Sequence, residues 1–237
     1  MKPILFNTDM VQAILDGRKT MTRRVCKLDT ANFDYDLKDK DYGPFLQNEY
    51  GDSINVKELA PYQPGDILYV RETWAREWSN EQDACHPFRD EGYNEEFASG
   101  EDFEFYGYVF KADTPDAKYP SDYPDDYEGA PTWRPSIHMP KEAARIWLEV
   151  TDVRVERLQE ITEDDMIAEG IRDGGEYLTK SPSDPYPEWD ERYRGWIGWN
   201  RACFSEIWDS IYAQKGYGWN ENPYIWVYTF KRVEVQA

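Results

Sequence analysis

The sequence is poor in the residues that most metal and redox chemistry requires, with 2 histidines and 3 cysteines in 237 residues. Cys26, Cys85 and Cys203 lie far apart, so neither a disulfide framework nor a C-x-x-C zinc or redox motif can be written from them. His86 and His138 form no H-x-x-x-H or H-x-E pair, and Cys85-His86 alone is not a zinc set, so no structural metal is expected. Neither a G-x-x-x-x-G-K-[ST] loop nor a G-x-G-x-x-G fingerprint is present. Nucleotide triphosphate hydrolysis and Rossmann cofactors therefore lack their phosphate cradle, and no cofactor is expected. No run approaches the ~20 apolar residues of a membrane span, and the start, MKPILFNTDM, lacks the apolar stretch of a signal peptide. The expectation is a protein without membrane association, at home in a reducing cytoplasm.

Positive charge is also scarce. Against 47 acidic residues stand 27 basic ones, a formal charge of −20 that repels polyanions at long range and disfavours broad phosphate-tracking binding. Aromatic residues are abundant, with 10 Trp, 18 Tyr and 10 Phe, which argues for a packed core despite a mean hydropathy of −0.86. The charge is uneven. Residues 1–27 carry Lys2, Arg18, Lys19, Arg23, Arg24 and Lys27 against only Asp9 and Asp16, a basic island in an acidic chain. Residues 76–133 are acidic and rich in Gly, Pro and Tyr, and read as a solvated insertion; 29–60 and 173–194 read likewise. The whole, 1–237, reads as a single domain with acidic loop insertions.

Short elements remain for the core. Asn7 or Thr8 caps a helix with Met10, Val11, Ile14 and Leu15 on one side and Gly17 at its C-terminal exit. Pro64-Gly65-Asp66 turns into a strand at Ile67–Val70, and Tyr106–Phe110, Ile146–Val155 and Tyr224–Val233 are strand-like. Thr162 with Asp165 forms a capping box that opens a helix running to Glu169 and Gly170, and Trp196 to Ile211 keeps helical spacing. The class is α+β, with a strongly curved or closed sheet and flanking short helices.

One segment concentrates chemistry: Gly17-Arg18-Lys19-Thr20-Met21-Thr22-Arg23-Arg24, a helix exit running into a strand. In extended chain Thr20, Thr22 and Arg24 share one face, while Lys19, Met21 and Arg23 share the other. The turn before Lys19 can swing its amine across. On spacing alone these cations also read as ordinary surface charges that face solvent or pair with surplus carboxylates.

The pattern Gly17-x-Lys19-x-x-Thr22-x-Arg24, preceded by a short helix and followed by Pro64-Gly65-Asp66 and Val70-Arg71-Glu72-Thr73-Trp74, resembles the ASCH superfamily. The resemblance extends through the Ile161–Gly170 helix and the C-terminal strand, and is strongest to ASCH proteins encoded by bacteriophages and prophages. It implies a PUA-like β-barrel, a cleft for RNA, nucleotide or nucleobase, and a host-cytoplasm setting if the chain is phage-encoded. Bacterial N4-acetylcytidine amidohydrolases of that superfamily use a Lys, a Thr three positions later and a helix Glu. Lys19 and Thr22 match the first two, and alignment of Ile161-Thr162-Glu163 with the helix start places Glu169 at the third. The chain is much longer than those enzymes, so its insertions bear on whether the cleft is kept.

These residue types suit amide hydrolysis. A threonine hydroxyl attacks only when a base takes its proton, and a lysine acts as base only when burial or nearby cations, here Arg18, Arg23 and Arg24, depress its pKa. Glu169 can relay a proton to the leaving amine. Without the resemblance, Glu169 reads as an exposed carboxylate at a helix end. Glu72 reads either as pointing into the barrel mouth or as an exposed ion pair. Trp74, Trp133, Tyr106 and Tyr108 read as base-stacking platforms or as core. Three functions stay open: an amidohydrolase acting on N4-acylcytidine, a non-catalytic module that binds nucleoside, short single-stranded RNA or a host protein, and a ribonuclease.

Overall fold

A computed structural model describes residues 1–28, 38–39, 43–47, 53–79, 104–118, 132–171 and 196–235. The fold is mixed α+β with a mainly sheet core. The described residues form the strands β1 (Lys2–Leu5), β2 (Met21–Val25), β3 (Lys38–Asp39), β4 (Gly43–Gln47), β5 (Ser53–Asn55), β6 (Ile67–Arg71), β7 (Trp74–Ser79), β8 (Glu104–Phe110), β9 (Trp147–Arg157) and β10 (Tyr224–Val233). Among the described residues the α-helices α1 (Thr8–Leu15), α2 (Glu163–Ala168) and α3 (Trp196–Tyr212) accompany them. The main sheet runs β1-β6-β9-β10-β2, with separate sheets β3-β4-β5 and β7-β8. It is an open sheet with β1 and β2 at its edges; the closed form of the expected barrel is not found among the described residues.

Where the sequence reads as one domain, the chain groups into two compact units. The first comprises Met1–Lys2, Ala13–Leu68 and Trp147–Ala237, the second Pro3–Gln12 and Tyr69–Ile146.

In the first unit, β10 is the central strand. It pairs antiparallel with β2, Tyr228 opposite Thr22 and Trp226 opposite Arg24, and with β9, where a bulge falls between Thr229 and Phe230. Strand alternation sends Met21, Arg23, Val25, Ile225 and Val227 to one face and Thr22, Arg24, Trp226 and Tyr228 to the other. Met21, Val25, Ile225 and Val227 are buried against Met166 of α2 and Phe204 and Trp208 of α3. Burial of each such side chain stabilises by roughly 1.5–3 kcal/mol. The strands β3, β4 and β5 fall in the interval read as the 29–60 insertion, followed by a 3-10 turn at Val56–Leu59. The proposed 173–194 insertion lies outside the described residues.

In the second unit, β7 overlaps the start of the interval read as the 76–133 insertion and pairs antiparallel with β8 inside it, so part of that interval carries regular structure. Its core gathers Trp74, Phe110, Met139 and Ala143. Val70–Trp74, read as one strand, is two: β6 ends at Arg71 and β7 begins at Trp74.

Two helix ends position the chemistry. Asn7 caps α1 by accepting from the Met10 backbone N–H at 2.8 Å. At the other end Gly17 (φ 74°) donates to Ile14 O and Arg18 to Ala13 O, a Schellman closure that a left-handed residue makes possible. The same device ends α2. Gly170 (φ 101°) donates to Ile167 O and Ile171 to Met166 O, while the expected Thr162–Asp165 capping box opens that helix. The two ends meet: a Cβ on Gly170 would lie 3.1 Å from Ala13 Cβ and 3.3 Å from Lys19 Cβ, whereas one on Gly17 would meet nothing within 4 Å.

Both positions reject a side chain through φ, and only Gly170 rejects it through space as well. Gly17→Ala should cost about 1 kcal/mol and Gly170→Ala about 2–3 kcal/mol. Urea unfolding of the two variants checks the order; equal losses would mean the helix ends do not abut.

Candidate functional site

The Schellman turn after α1 places Lys19 with its backbone N–H on Ala13 O at 2.9 Å, and the Thr20 N–H on Ala168 O at 2.8 Å ties β2 to the end of α2. From there the Lys19 side chain, 0% exposed, reaches Glu169. Its ammonium donates to Glu169 Oε2 at 2.5 Å and to the Glu169 backbone carbonyl at 2.9 Å. One amine thus satisfies a carboxylate and caps the negative end of a helix. Glu169, read without the resemblance as exposed, is buried.

Glu169 is held from a second side. Arg23 Nη1 donates to its Oε1 at 3.2 Å, while Arg23 Nη2 donates to Glu156 at 2.8 Å and Asp165 at 2.9 Å. Arg154 Nη2 closes the set on the other oxygen of Asp165 at 2.9 Å. Three cations, Lys19, Arg23 and Arg154, therefore interleave with three carboxylates, Glu169, Glu156 and Asp165. Sequence reasoning missed Asp165, Glu156 and Arg154. The signal was present in part, since Asp165 was legible as a capping residue, but one side chain both capping a helix and holding two arginines is a property of the packed state.

Burial dominates the Lys19 pKa, driving it below the usual lysine value; Glu169 opposes this, and the charges of Arg24 and Arg23 add to the fall. The amine is therefore easier to deprotonate than a surface lysine. Burial pushes Asp165 up, yet the bonds and charges of Arg154 and Arg23 outweigh it and its carboxyl lies below the ordinary range.

Thr22 lies on the opposite face of β2 from Arg23. Its side chain is buried, and its hydroxyl accepts from Arg24 Nη1 at 2.7 Å, an atom that also donates to the Arg23 carbonyl at 2.9 Å. Lys19 and Glu169 are thus in direct contact, and Thr22 is joined to Arg24, whose charge is felt at the Lys19 amine. Arg18 is anchored outside this cluster, donating to Asp16 at 2.8 Å and to the Gly170 carbonyl at 3.1 Å. The basic island is thereby largely neutralised: carboxylates hold Arg18, Lys19 and Arg23.

Glu72 and Trp74 belong to the second unit and are committed there. Arg145 grips Glu72 with two parallel bonds, Nε to Oε1 at 2.9 Å and Nη2 to Oε2 at 3.0 Å. Its Nη1 contacts both oxygens of Asp113, and the guanidinium lies 4.0 Å from the Phe110 ring centroid. Glu72 is a buried member of an ion-pair cluster, its carboxyl raised by burial against the pull of Arg145. Trp74 is 2% exposed, edge-on to Tyr108 at 5.6 Å and under the Arg134 guanidinium. It fills core volume instead of presenting a face.

Among the described residues no group of three His, Cys, Asp or Glu is placed to hold a metal ion. No helix among them is long and apolar enough to cross a membrane. Cys26 and Cys203 are not in disulfides, and burial raises Cys203 to about 11, so it is inert as a nucleophile near neutral pH. No protein-family model, curated protein or solved structure matches the chain.

The Asp165 node sets a pH test. Its folded pKa is below the unfolded value of about 3.9, so its contribution is present above that value and is lost as pH falls through the folded one. Asp165→Asn should lower unfolding free energy by about 3 kcal/mol at pH 7, and the gap to wild type should shrink as pH falls below the unfolded value of about 3.9 and close only once the folded value has been passed. A gap that persists unchanged at low pH would mean that packing, and not charge, is what Asp165 supplies.

Proposed function

We propose that the chain is an ASCH-type protein with a PUA-like fold that recognises a nucleobase, nucleoside or short RNA, and that its Lys19–Glu169 centre hydrolyses an N4-acylcytidine amide. The observation that carries this reading is the direct contact, across 150 residues of sequence, between the two residues that the resemblance pairs with Thr22. Neutral Lys19 takes the Thr22 hydroxyl proton as its oxygen attacks the acyl carbonyl. The C–N bond then breaks as Glu169 relays to the departing amine the proton that Lys19 took from Thr22, and water attacks the Thr22 ester, returning the hydroxyl and releasing the acyl group as a carboxylic acid. Arg24, on Thr22 already, supplies positive charge for the developing oxyanion. No metal is required by this sequence of steps.

A second reading has its own observation. The Lys19 side chain is 0% exposed and is bonded to both the carboxylate and the carbonyl of Glu169, as a purely structural helix cap would be. A non-catalytic module that sequesters nucleoside or RNA would retain that arrangement without chemistry.

Turnover separates the two. Purified protein should release cytidine and acetate from N4-acetylcytidine, and Lys19→Ala and Thr22→Ala should each lower kcat at least 100-fold, with the double variant little worse than either. Circular dichroism verifies folding of each. Binding of N4-acyl nucleosides without turnover selects the sequestering module; turnover indifferent to both substitutions removes this site from the account.

Salt dependence tests the partner. Because carboxylates hold Arg18, Lys19 and Arg23, affinity for short single-stranded RNA should fall with salt at a slope of about −0.7 to −1.4, one or two phosphates. A slope implying five or more would require a basic surface that these ion pairs do not leave.

A further inference from the structure

The steps above use Lys19, Thr22, Arg24 and Glu169 and leave Arg23, which bonds three carboxylates, without a part. Its side chain is 1% exposed. Its two terminal nitrogens are divided between partners. Nη1 donates to Glu169 Oε1 at 3.2 Å and to the Met21 sulfur at 3.3 Å, while Nη2 donates to Glu156 of β9 at 2.8 Å and to Asp165 of α2 at 2.9 Å. The Phe204 ring of α3 faces the guanidinium, its centroid 6.0 Å away. Neighbours from three elements thus fix one planar group. Its Nε, buried as well, completes no hydrogen bond among the described residues. A buried donor left unsatisfied is costly, so this placement favours the two Nη contacts over full satisfaction of the side chain.

We propose that Arg23 is a positioning residue for the Lys19–Glu169 pair, holding one carboxylate oxygen away from Lys19 so that a single oxygen, Oε2, receives the amine. The inference rests on the functional reading above and names the group that governs its proton transfers. A carboxylate has two oxygens, and an ammonium that reaches both is held more firmly in its charged form. With Oε1 taken by Arg23, the amine meets Oε2 at 2.5 Å. The clamped carboxylate also keeps Oε2 aimed at the amine between the step that takes the Thr22 proton and the step that gives it up. Arginine suits this task because it is always charged and its fork serves a different partner with each nitrogen, whereas a lysine ammonium is one compact point charge without that reach. Charge acts in the same direction as geometry. Glu169, Arg24 and Arg23 act on the Lys19 amine; behind Arg23 stand Asp165 of α2 and Glu156 and Arg154 of β9, while Arg18 is turned to Asp16 and the Gly170 carbonyl. Burial lowers the Lys19 pKa most, Glu169 opposes it, and Arg24 and then Arg23 add to the fall. Removal of Arg23 takes away a lowering charge and frees Oε1 for the amine, and both changes favour the ammonium.

Two readouts together test the proposal: the Lys19 titration midpoint, followed by side-chain NMR, and the pH dependence of N4-acetylcytidine hydrolysis. Both are taken on wild type, Arg23→Gln and Arg23→Lys, with folding verified by circular dichroism. Arg23→Gln should raise the Lys19 midpoint and carry the ascending limb of kcat to higher pH by the same shift. At pH 7 it should lower kcat about tenfold or more while KM stays within about twofold, since the group acts through Glu169 and not on substrate. Arg23→Lys should return the midpoint and the limb to wild type, because the charge is kept, and recover only part of kcat, because the fork is not. Where Arg23→Gln alone does not fold, Arg23→Gln together with Asp165→Asn removes one cation and one anion at once and should show the same rise. A midpoint and limb unchanged in the folded variant, with only Tm lowered, would mark a merely structural arginine and overturn the proposal; a rise in KM with kcat intact overturns it as well. Absence of wild-type turnover overturns the functional reading, and the midpoint series, which needs no substrate, then decides the hold of Arg23 on the pair by itself.

Discussion

The structure of the first unit depends on one constraint: Lys19 has no access to water, so its charge must be satisfied by protein or abandoned. Glu169 meets that demand with a carboxylate oxygen and its own carbonyl, and it can do so only because two helices end beside each other. Gly17 and Gly170 supply the left-handed turns that bring those ends together, and Gly170 does so where even a methyl group would press on Lys19. A buried pair of this kind is weak evidence for stability, since desolvation offsets much of the attraction. It is better evidence for placement. The pair fixes the register between the start of β2 and the end of α2, and Arg23, Asp165, Glu156 and Arg154 extend that fixing into a lattice of alternating charge.

The lattice also changes what the net charge means for function. A chain at −20 with a basic island invites the expectation of a positive patch for a polyanion. Packing pairs Lys2, Arg18, Lys19 and Arg23 of that island with carboxylates, and Arg24 bonds the Thr22 hydroxyl. A positive patch is thereby reduced at short range, and the acidic remainder repels polyanions at a distance.

Local rules made much of this fold legible. The Asn7 cap, the Gly17 exit, the Thr162–Asp165 capping box and strand β10 at Tyr224–Val233 follow from turn chemistry and hydrophobic period, and each is found where the residues placed it. The strand β1 escaped because Lys2–Leu5 is only four residues long. The break at Glu72 and Thr73 escaped because alternation continues across it in sequence, while the Arg145 grip on Glu72 comes from 73 residues away. Among the site residues, Lys19 and Glu169, which the resemblance pairs, are in direct contact. It gave no hint of Arg23 as the link to Asp165 and Glu156, nor of Tyr228 opposite Thr22, because cross-strand neighbours are set by register and register is not written in either strand alone.

The protonation state of Lys19 decides whether this centre is chemically competent or only structural. Titration of the Lys19 side-chain resonances by NMR, with assignment from Lys19→Arg, measures it directly. The account requires a midpoint below 10.5, and a further fall in Glu169→Gln, where the one group opposing desolvation loses its charge. A midpoint at or above 10.5 in wild type would show an ammonium locked in place as a helix cap, and would contradict a base at this position.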